Sequence, residues 1–491
     1  MAHSENIPKH EDRMTSNDVD GGLVTWDGPD DPENPKNWAT RRKWLAVISI
    51  SGFVLMSPLP TTIVAPALDI ITEELSITIT VLRPMVLSIF LLGYAIGPMF
   101  ISPLSEIWGR TVVLQTFNFV FLVFNSACGV ARTIEQLLLF RFFAGLFGSC
   151  TVGIGAGTLG DLFNANERGK AMAIYSIFPL VGQVLGPVAG GFLTERISWR
   201  WAFYVTSIVD GCVQIFGLFF LDESYTPVLL RRKRDRLTKA GATGLYTEHD
   251  FPNGSKLDMM RTTMMRPIKL LTTQPIVQVM AIYQGYLYGN IYILYASIAV
   301  LWTTRYHERL DIASLHYLAL GLGTAFAAEV ATHINDRIFR ILTKRNSGKS
   351  LPEFRIPIMI PATVILAIGL FWYGWSAEAH LFWLMPDIGI ALFAAAAYIC
   401  TVSNNIYVVD TYGRYSASAL AATSMLRCLA GFVFPLFSPY AYERLGYGWT
   451  SSILGIIALC IGLTGVIFLW KFGHVLREKS PYCASRDVDD C

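Results

Sequence analysis

The chain has 491 residues, of which 53% are hydrophobic and only 15% charged, with a formal net charge of +2. A soluble globular protein carries about 25% charged residues, so this composition excludes a soluble enzyme and a disordered chain, and the small net charge gives no reason to expect a nucleic-acid partner. Apolar runs of about 20 residues, enough to cross about 30 Å of hydrocarbon, recur without the ten-residue alternation of barrel strands, so the expected fold class is an all-α polytopic membrane protein.

In chain order, residues 1–43 are polar and lack the apolar core of a cleavable signal peptide; they are expected to form a largely disordered cytoplasmic tail. Six spans follow at 44–66, 82–103, 112–131, 136–158, 171–193 and 201–221, forming an N-terminal bundle over 44–221. Residues 222–275, which include Arg231-Arg232-Lys233-Arg234, read as a cytoplasmic basic linker. Six more spans at 276–303, 315–334, 357–375, 381–402, 417–440 and 451–470 form a C-terminal bundle over 276–470, and 471–491 is a short tail. Of the 39 Lys and Arg, 30 fall on the side shared by the termini and the even-numbered loops. Six fall opposite, and Arg83, Arg141 and Arg427 lie within spans. The bias places both termini in the cytoplasm, so the sequon Asn253-Gly254-Ser255 in the linker is expected to stay unmodified. The eight cysteines show no metal spacing. Six of them lie in apolar runs and read as small buried hydrophobes.

The two halves echo each other. Ser105-Glu106-Ile107-Trp108-Gly109-Arg110 follows span two, and Asn335-Asp336-Arg337-Ile338-Phe339-Arg340 follows span eight. An acid with nearby arginines thus recurs at the same place in each six-span unit, the mark of a transporter built from repeats. In span five, Gly182, Gly186 and Gly190 share one helical face, beside Gly191, so another backbone can approach closely. Pro187 removes a helix hydrogen bond and favours a bend. A close-packed, bendable helix suits a gate, although ordinary small-residue packing accounts for it equally well.

The string Gly182-Gln183-Val184-Leu185-Gly186-Pro187-Val188-Ala189-Gly190-Gly191 resembles the antiporter motif of the major facilitator superfamily, in its twelve-span drug:proton antiporter branch. Ser102-Pro103-Leu104-Ser105-Glu106-Ile107-Trp108-Gly109-Arg110 resembles that superfamily's signature loop, with Ser102 and Glu106 where Gly and Asp are usual and Thr111 where a basic residue is usual. Arg141-Phe142-Phe143-Ala144-Gly145 resembles its span-four arginine motif. The segment from Trp26 to Trp38 and the segment Asp222-Glu223-Ser224-Tyr225-Thr226-Pro227 are similar to the pre-span-one and span-six-exit sequences of fungal members. The resemblance runs from about residue 25 to about residue 472. It implies two pseudo-symmetric six-helix bundles around a central cavity, with gating by Glu106, Gly109, Arg110, Asp161, Gly182, Gly186, Pro187, Gly190, Gly191, Asp336 and Arg337. In the superfamily the loop carboxylate faces the start of span eleven, and Arg110 is placed to pair with Asp161.

The resemblance assigns Arg141 to proton coupling, since a fixed charge shifts a neighbouring carboxylate. Intramembrane acids are costly and are functional candidates by default. Asp210, Glu329 and Asp387 are therefore candidate proton carriers, with helix-bridging hydrogen bonds as the equally weighted alternative for each. Span one offers no acid before Asp69. Arg427 is expected to have a structural partner. Span seven is crowded with tyrosines: Tyr288, Tyr292 and Tyr295 share a stripe that Gln284 extends. Aromatic faces with hydroxyls suit a flat or amphipathic organic molecule, and Asn404 and Asn405 of span ten join them as candidate substrate residues. Tyrosines at a membrane interface or in helix packing are the alternative.

No Walker sequence, catalytic cluster or metal site stands out, and no cofactor is expected. The expected function is proton-coupled export of a small organic compound by a monomer in the plasma membrane, rather than the vacuolar membrane. An importer or exchanger of an organic acid or polyamine, with Arg141 and Arg427 binding anions or the acids binding amines, is the first alternative. A membrane sensor without turnover is the second.

Overall fold

The computed structural model describes residues 22–248 and 256–483. The sequon lies outside them, as do residues 1–21 and the end of the C-terminal tail. Every long element is a helix, and the only β pairing among the described residues is an isolated bridge between Leu23 and Tyr246. Among the described residues, twelve helical spans fall into two groups of six.

The first span is helical over Thr40–Leu55, breaks, and resumes only as the short turns Leu59–Thr62 and Ala65–Ala67 before Leu68–Glu74. The span expected over 44–66 is thus an interrupted helix. Pro58, Pro60 and Pro66 lack the amide protons that the ladder needs, so backbone carbonyls are freed at mid-span. The second span, Leu82–Trp108, has 27 residues and is about 40 Å long, so it overruns the hydrocarbon thickness. Arg110–Gly129 is the third. The fourth is Ile134–Gly148 and Cys150–Leu162, joined at Ser149; the fifth is Ala165–Arg196 and the sixth Arg200–Phe220. Pro275–Thr304, Tyr317–Arg345, Met359–Glu378 and Leu384–Tyr412 are the seventh to tenth. One long helical stretch, Ser416–Lys479, contains the last two, separated by Gly446 at φ 74°. The twelfth helix therefore continues nine residues into the expected tail. Arg83, expected inside the membrane, sits at the start of the second helix and pairs with Asp69.

The linker is also structured. Its basic run lies on the helix Thr226–Lys239, and a second helix, Lys256–Thr273, leads into span seven. Residues 22–39, expected to be disordered, fold as a strap against the first of these helices. Asp31 accepts the backbone amides of Asp27 at 2.9 Å and Glu33 at 2.8 Å. Lys233 reaches Asp27 at 2.6 Å, and Arg236 reaches Glu33 at 2.8 Å. Burial raises the Asp31 carboxyl, but the two amides and Lys233 outweigh it and hold the acid below its ordinary value. Opposite charges on strap and helix explain the order that polar composition alone did not predict.

Each bundle closes on small residues. Gly145 of span four lies against the Phe90 carbonyl of span two, where any side chain would collide. This close approach, one turn beyond Arg141, brings that arginine within reach of the span-two backbone.

Candidate functional site

Between the two bundles lies a cavity of about 130 Å³. Leu180, Gln183 and Val184 of span five line one side; Tyr288, Tyr295, Tyr398 and Arg427 supply most of the polar lining from the C-terminal half. The rings of Tyr288, Tyr292 and Tyr295 run along span seven with centroids 5.0 and 5.6 Å apart. Tyr288 and Tyr295 line the cavity, and Tyr292 packs between them. Tyr295 donates across the cavity to the Gln183 carbonyl at 3.4 Å, and its ring stacks on Tyr317. The other candidate substrate residues lie elsewhere. Gln284 accepts from Asn404 at 3.0 Å and donates to Asn405 at 3.2 Å. With a further bond from Asn404 to the Met280 carbonyl at 3.3 Å, these amides fasten span seven to span ten.

Arg141 is fully buried, and its partners are carbonyls rather than an acid. Nε donates to Val86 O at 3.0 Å, Nη2 to Leu87 O at 3.3 Å and Nη1 to Pro60 O at 2.8 Å. The Pro60 carbonyl is one that the break in span one releases. The span-five glycines pack on the same break: side chains at Gly186 and Gly190 would collide with Thr62 and with the Ile63 carbonyl. Broken span one, the glycine face and Arg141 thus form one unit within the N-terminal half. Pro187 lies buried inside the span-five helix. Gly191 instead meets Ser314, in the turn before span eight, across the boundary between halves.

The three candidate acids are dispersed. Asp210 is sealed between spans three and six, where Asn118 donates to both its oxygens at 3.0 and 3.1 Å. Glu329 shares an exposed helical stripe with Leu322 and Phe326, which are 70% and 69% exposed; that stripe points away from the cavity. Asp387 binds His316 at 2.7 Å, and the other imidazole nitrogen meets Glu308 at 3.0 Å.

At the linker face, Arg110 Nε lies 2.7 Å from Asp161, the pairing that its position suggested. Gly109 has φ 106°, a conformation that favours glycine, and its missing side chain leaves room for the Glu223 carboxylate. Glu223, which sequence reasoning passed over, accepts the amides of Arg110 at 3.1 Å and Thr111 at 3.2 Å and so caps span three. Glu106 lies between this cluster and the linker; its carbonyl accepts from Arg231 at 3.1 Å. Burial pushes the Tyr225 phenol up, with Glu106 and Asp161 adding to the rise against Arg110 and Arg231. In the C-terminal half Asp336 pairs with Arg355 at 2.8 Å, which also reaches Asp410 at 3.3 Å; Arg337 is exposed. Glu223→Gln weakens the cap, and a loss of about 1 kcal/mol of stability is expected, measured as a lower melting temperature of the detergent-solubilised protein. An unchanged melting temperature would assign Glu223 no such part.

Both of these ion-pair clusters stay within one half. Among the described residues, the ion pairs that join the halves are Glu195 with Arg309 and Arg196 with Asp311, each at 3.6 Å, at the face opposite the linker.

Two six-helix bundles with a cavity between them, meeting through ion pairs at one face, define a multi-pass membrane transporter. The profile of the Major Facilitator Superfamily matches residues 50–435, and the chain belongs to that superfamily. It is 44% identical to the efflux pump vrtL of Penicillium aethiopicum over 95% of this chain and 92% of that one. It is 39% identical to the MFS transporter cpaT of Aspergillus oryzae over 94% and 93%. The xylose transporter XylE from E. coli, in a partially occluded inward-open conformation, superposes with a TM-score of 0.66 over 88% of this chain and 98% of that one at 15% identity, a likeness of fold.

Proposed function

We propose that this transporter exports small organic compounds across the plasma membrane in exchange for protons, by alternating access. The observation that carries the reading is a cavity lined from both halves together with ion pairs that, among the described residues, join the halves only at the face opposite the linker, which supports a two-state element with that side drawn together. The excess of Lys and Arg assigns the linker face to the cytoplasm, so the shut side is the outer one. The likeness to efflux pumps such as vrtL supports the export direction.

Rocking needs a joint, and the Arg141 unit supplies one: a helix already broken at Pro58 and Pro60, held by a guanidinium instead of a rigid ladder. For the proton we assign Asp387. It has a titratable partner in His316, and His316 lies in the same turn as Ser314, which seats against Gly191. Protonation there loosens the outer closure. Asp210 is walled into one bundle and Glu329 faces outward, so neither can sense the change of state. The test uses everted membrane vesicles. An acid-inside gradient should drive accumulation of a fluorescent aromatic compound, and an uncoupler should collapse it. Accumulation indifferent to the uncoupler would rule out the exchange.

A further inference from the structure

We propose that the central cavity is an anion site, in which Arg427 recognises a carboxylate or comparably acidic group on an aromatic compound. This deepens the transport reading and rests on it for the claim that what binds there is cargo.

The inference follows from how the buried charges are spent. Arg141 is used up by three carbonyls. Asp210 is held by Asn118, Asp387 by His316, and Glu329 faces away from the cavity. None of the residues lining the cavity is acidic, and Arg427 is the cation among them. No carboxylate forms an ion pair with Arg427 among the described residues. Its Nε is shut off from solvent without a hydrogen-bond partner, and the guanidinium carbon lies 4.9 Å over the Tyr288 ring. A cation–π contact and the neighbouring Cys428 thiol hold the group in place, while Nε keeps a free in-plane donor. Such a fork matches a carboxylate. A low-dielectric pocket with one uncompensated positive charge favours an anion and disfavours a second cation. Tyr288, Tyr295 and Tyr398 offer faces for an aromatic body, and Gln183, Thr324 and Thr401 offer secondary hydrogen bonds.

The experiment measures equilibrium binding of three radiolabelled probes of nearly one shape to the purified full-length protein in detergent: 2-naphthoate, 2-naphthamide and 2-naphthylmethylammonium. The wild type should bind naphthoate at least about tenfold tighter than naphthamide, the size of one charge-assisted hydrogen bond, and the ammonium weakest. Arg427→Gln should erase the preference for naphthoate while naphthamide binding persists, which shows the variant to be folded. Arg427→Lys should keep part of the preference, and it serves as the readout if the glutamine variant does not fold. Equal binding of naphthoate and naphthamide, a preference that survives both substitutions, or no binding of any probe overturns the proposal. The assay needs no gradient. An Arg427-dependent preference for naphthoate beside failed vesicle transport would therefore strike the transport reading and leave the site standing.

Discussion

Arg141→Ala should lower gradient-driven accumulation in everted vesicles at least about a hundredfold. The guanidinium donates to two separate elements, span two through Val86 and Leu87 and the broken span one through Pro60. Hydrogen bonds from a charged donor contribute about 1.5–3 kcal/mol each. Loss of the three removes enough to misplace the joint by more than the two factors of ten invoked, at about 1.4 kcal/mol per factor. Arg141→Lys should recover little, because one ammonium cannot span carbonyls on both elements as a planar fork does. A purely structural arginine would behave differently: the alanine variant would melt at a lower temperature yet transport at near the normal rate per folded molecule. Normalising the rate to the monodisperse fraction separates the two. A rate above a tenth of the wild type would remove Arg141 from the joint.

The parts of this arrangement that were legible in the chain are those written in runs and spacings. Apolar length marks the spans, and glycines four apart mark a close-packed face. The pairing of Arg110 with Asp161 follows from the two ends being brought to one face by helices of known length. What was not legible depends on groups with no side-chain signature. The partners of Arg141 are backbone carbonyls, exposed only because Pro58 and Pro60 interrupt span one; the prolines were visible, but their consequence for a residue some 80 positions away was not. Glu223 caps a helix 113 positions earlier. Arg355, rather than the neighbouring Arg337, takes Asp336. Arg427 read as one half of an unknown pair, and only the positions of the buried acids reveal that, among the described residues, no carboxylate pairs with it. The strap formed by residues 22–39 was hidden because its partner helix lies some 200 residues further along the chain.

Gly191→Leu should trap the transporter with its outer side open and reduce turnover at least tenfold, without unfolding it. Gly182, Gly186 and Gly190 pack within one half, so side chains there would strain the bundle itself, as overpacking generally does at about 1–3 kcal/mol. Gly191 differs, since the atoms a side chain would strike belong to Ser314 of the other half. That contact exists only while the outer ends are together. The ion pairs that accompany it are long, at 3.6 Å, and the arginines in them are 65% and 66% exposed, so they contribute little on their own. The steric contact therefore decides the balance, and a leucine wedge shifts it toward the state in which the faces part. Ser297 of span seven is buried and lines a pocket shared with Arg83 of span two and Ser438 of span eleven; a cysteine placed there should then react with an impermeant maleimide added outside intact cells faster in the Gly191→Leu background than in the wild type, with the melting temperature of the purified variant close to normal. Equal labelling in both backgrounds, with transport intact, would show that the halves do not meet at Gly191 during the cycle and that closure is governed elsewhere.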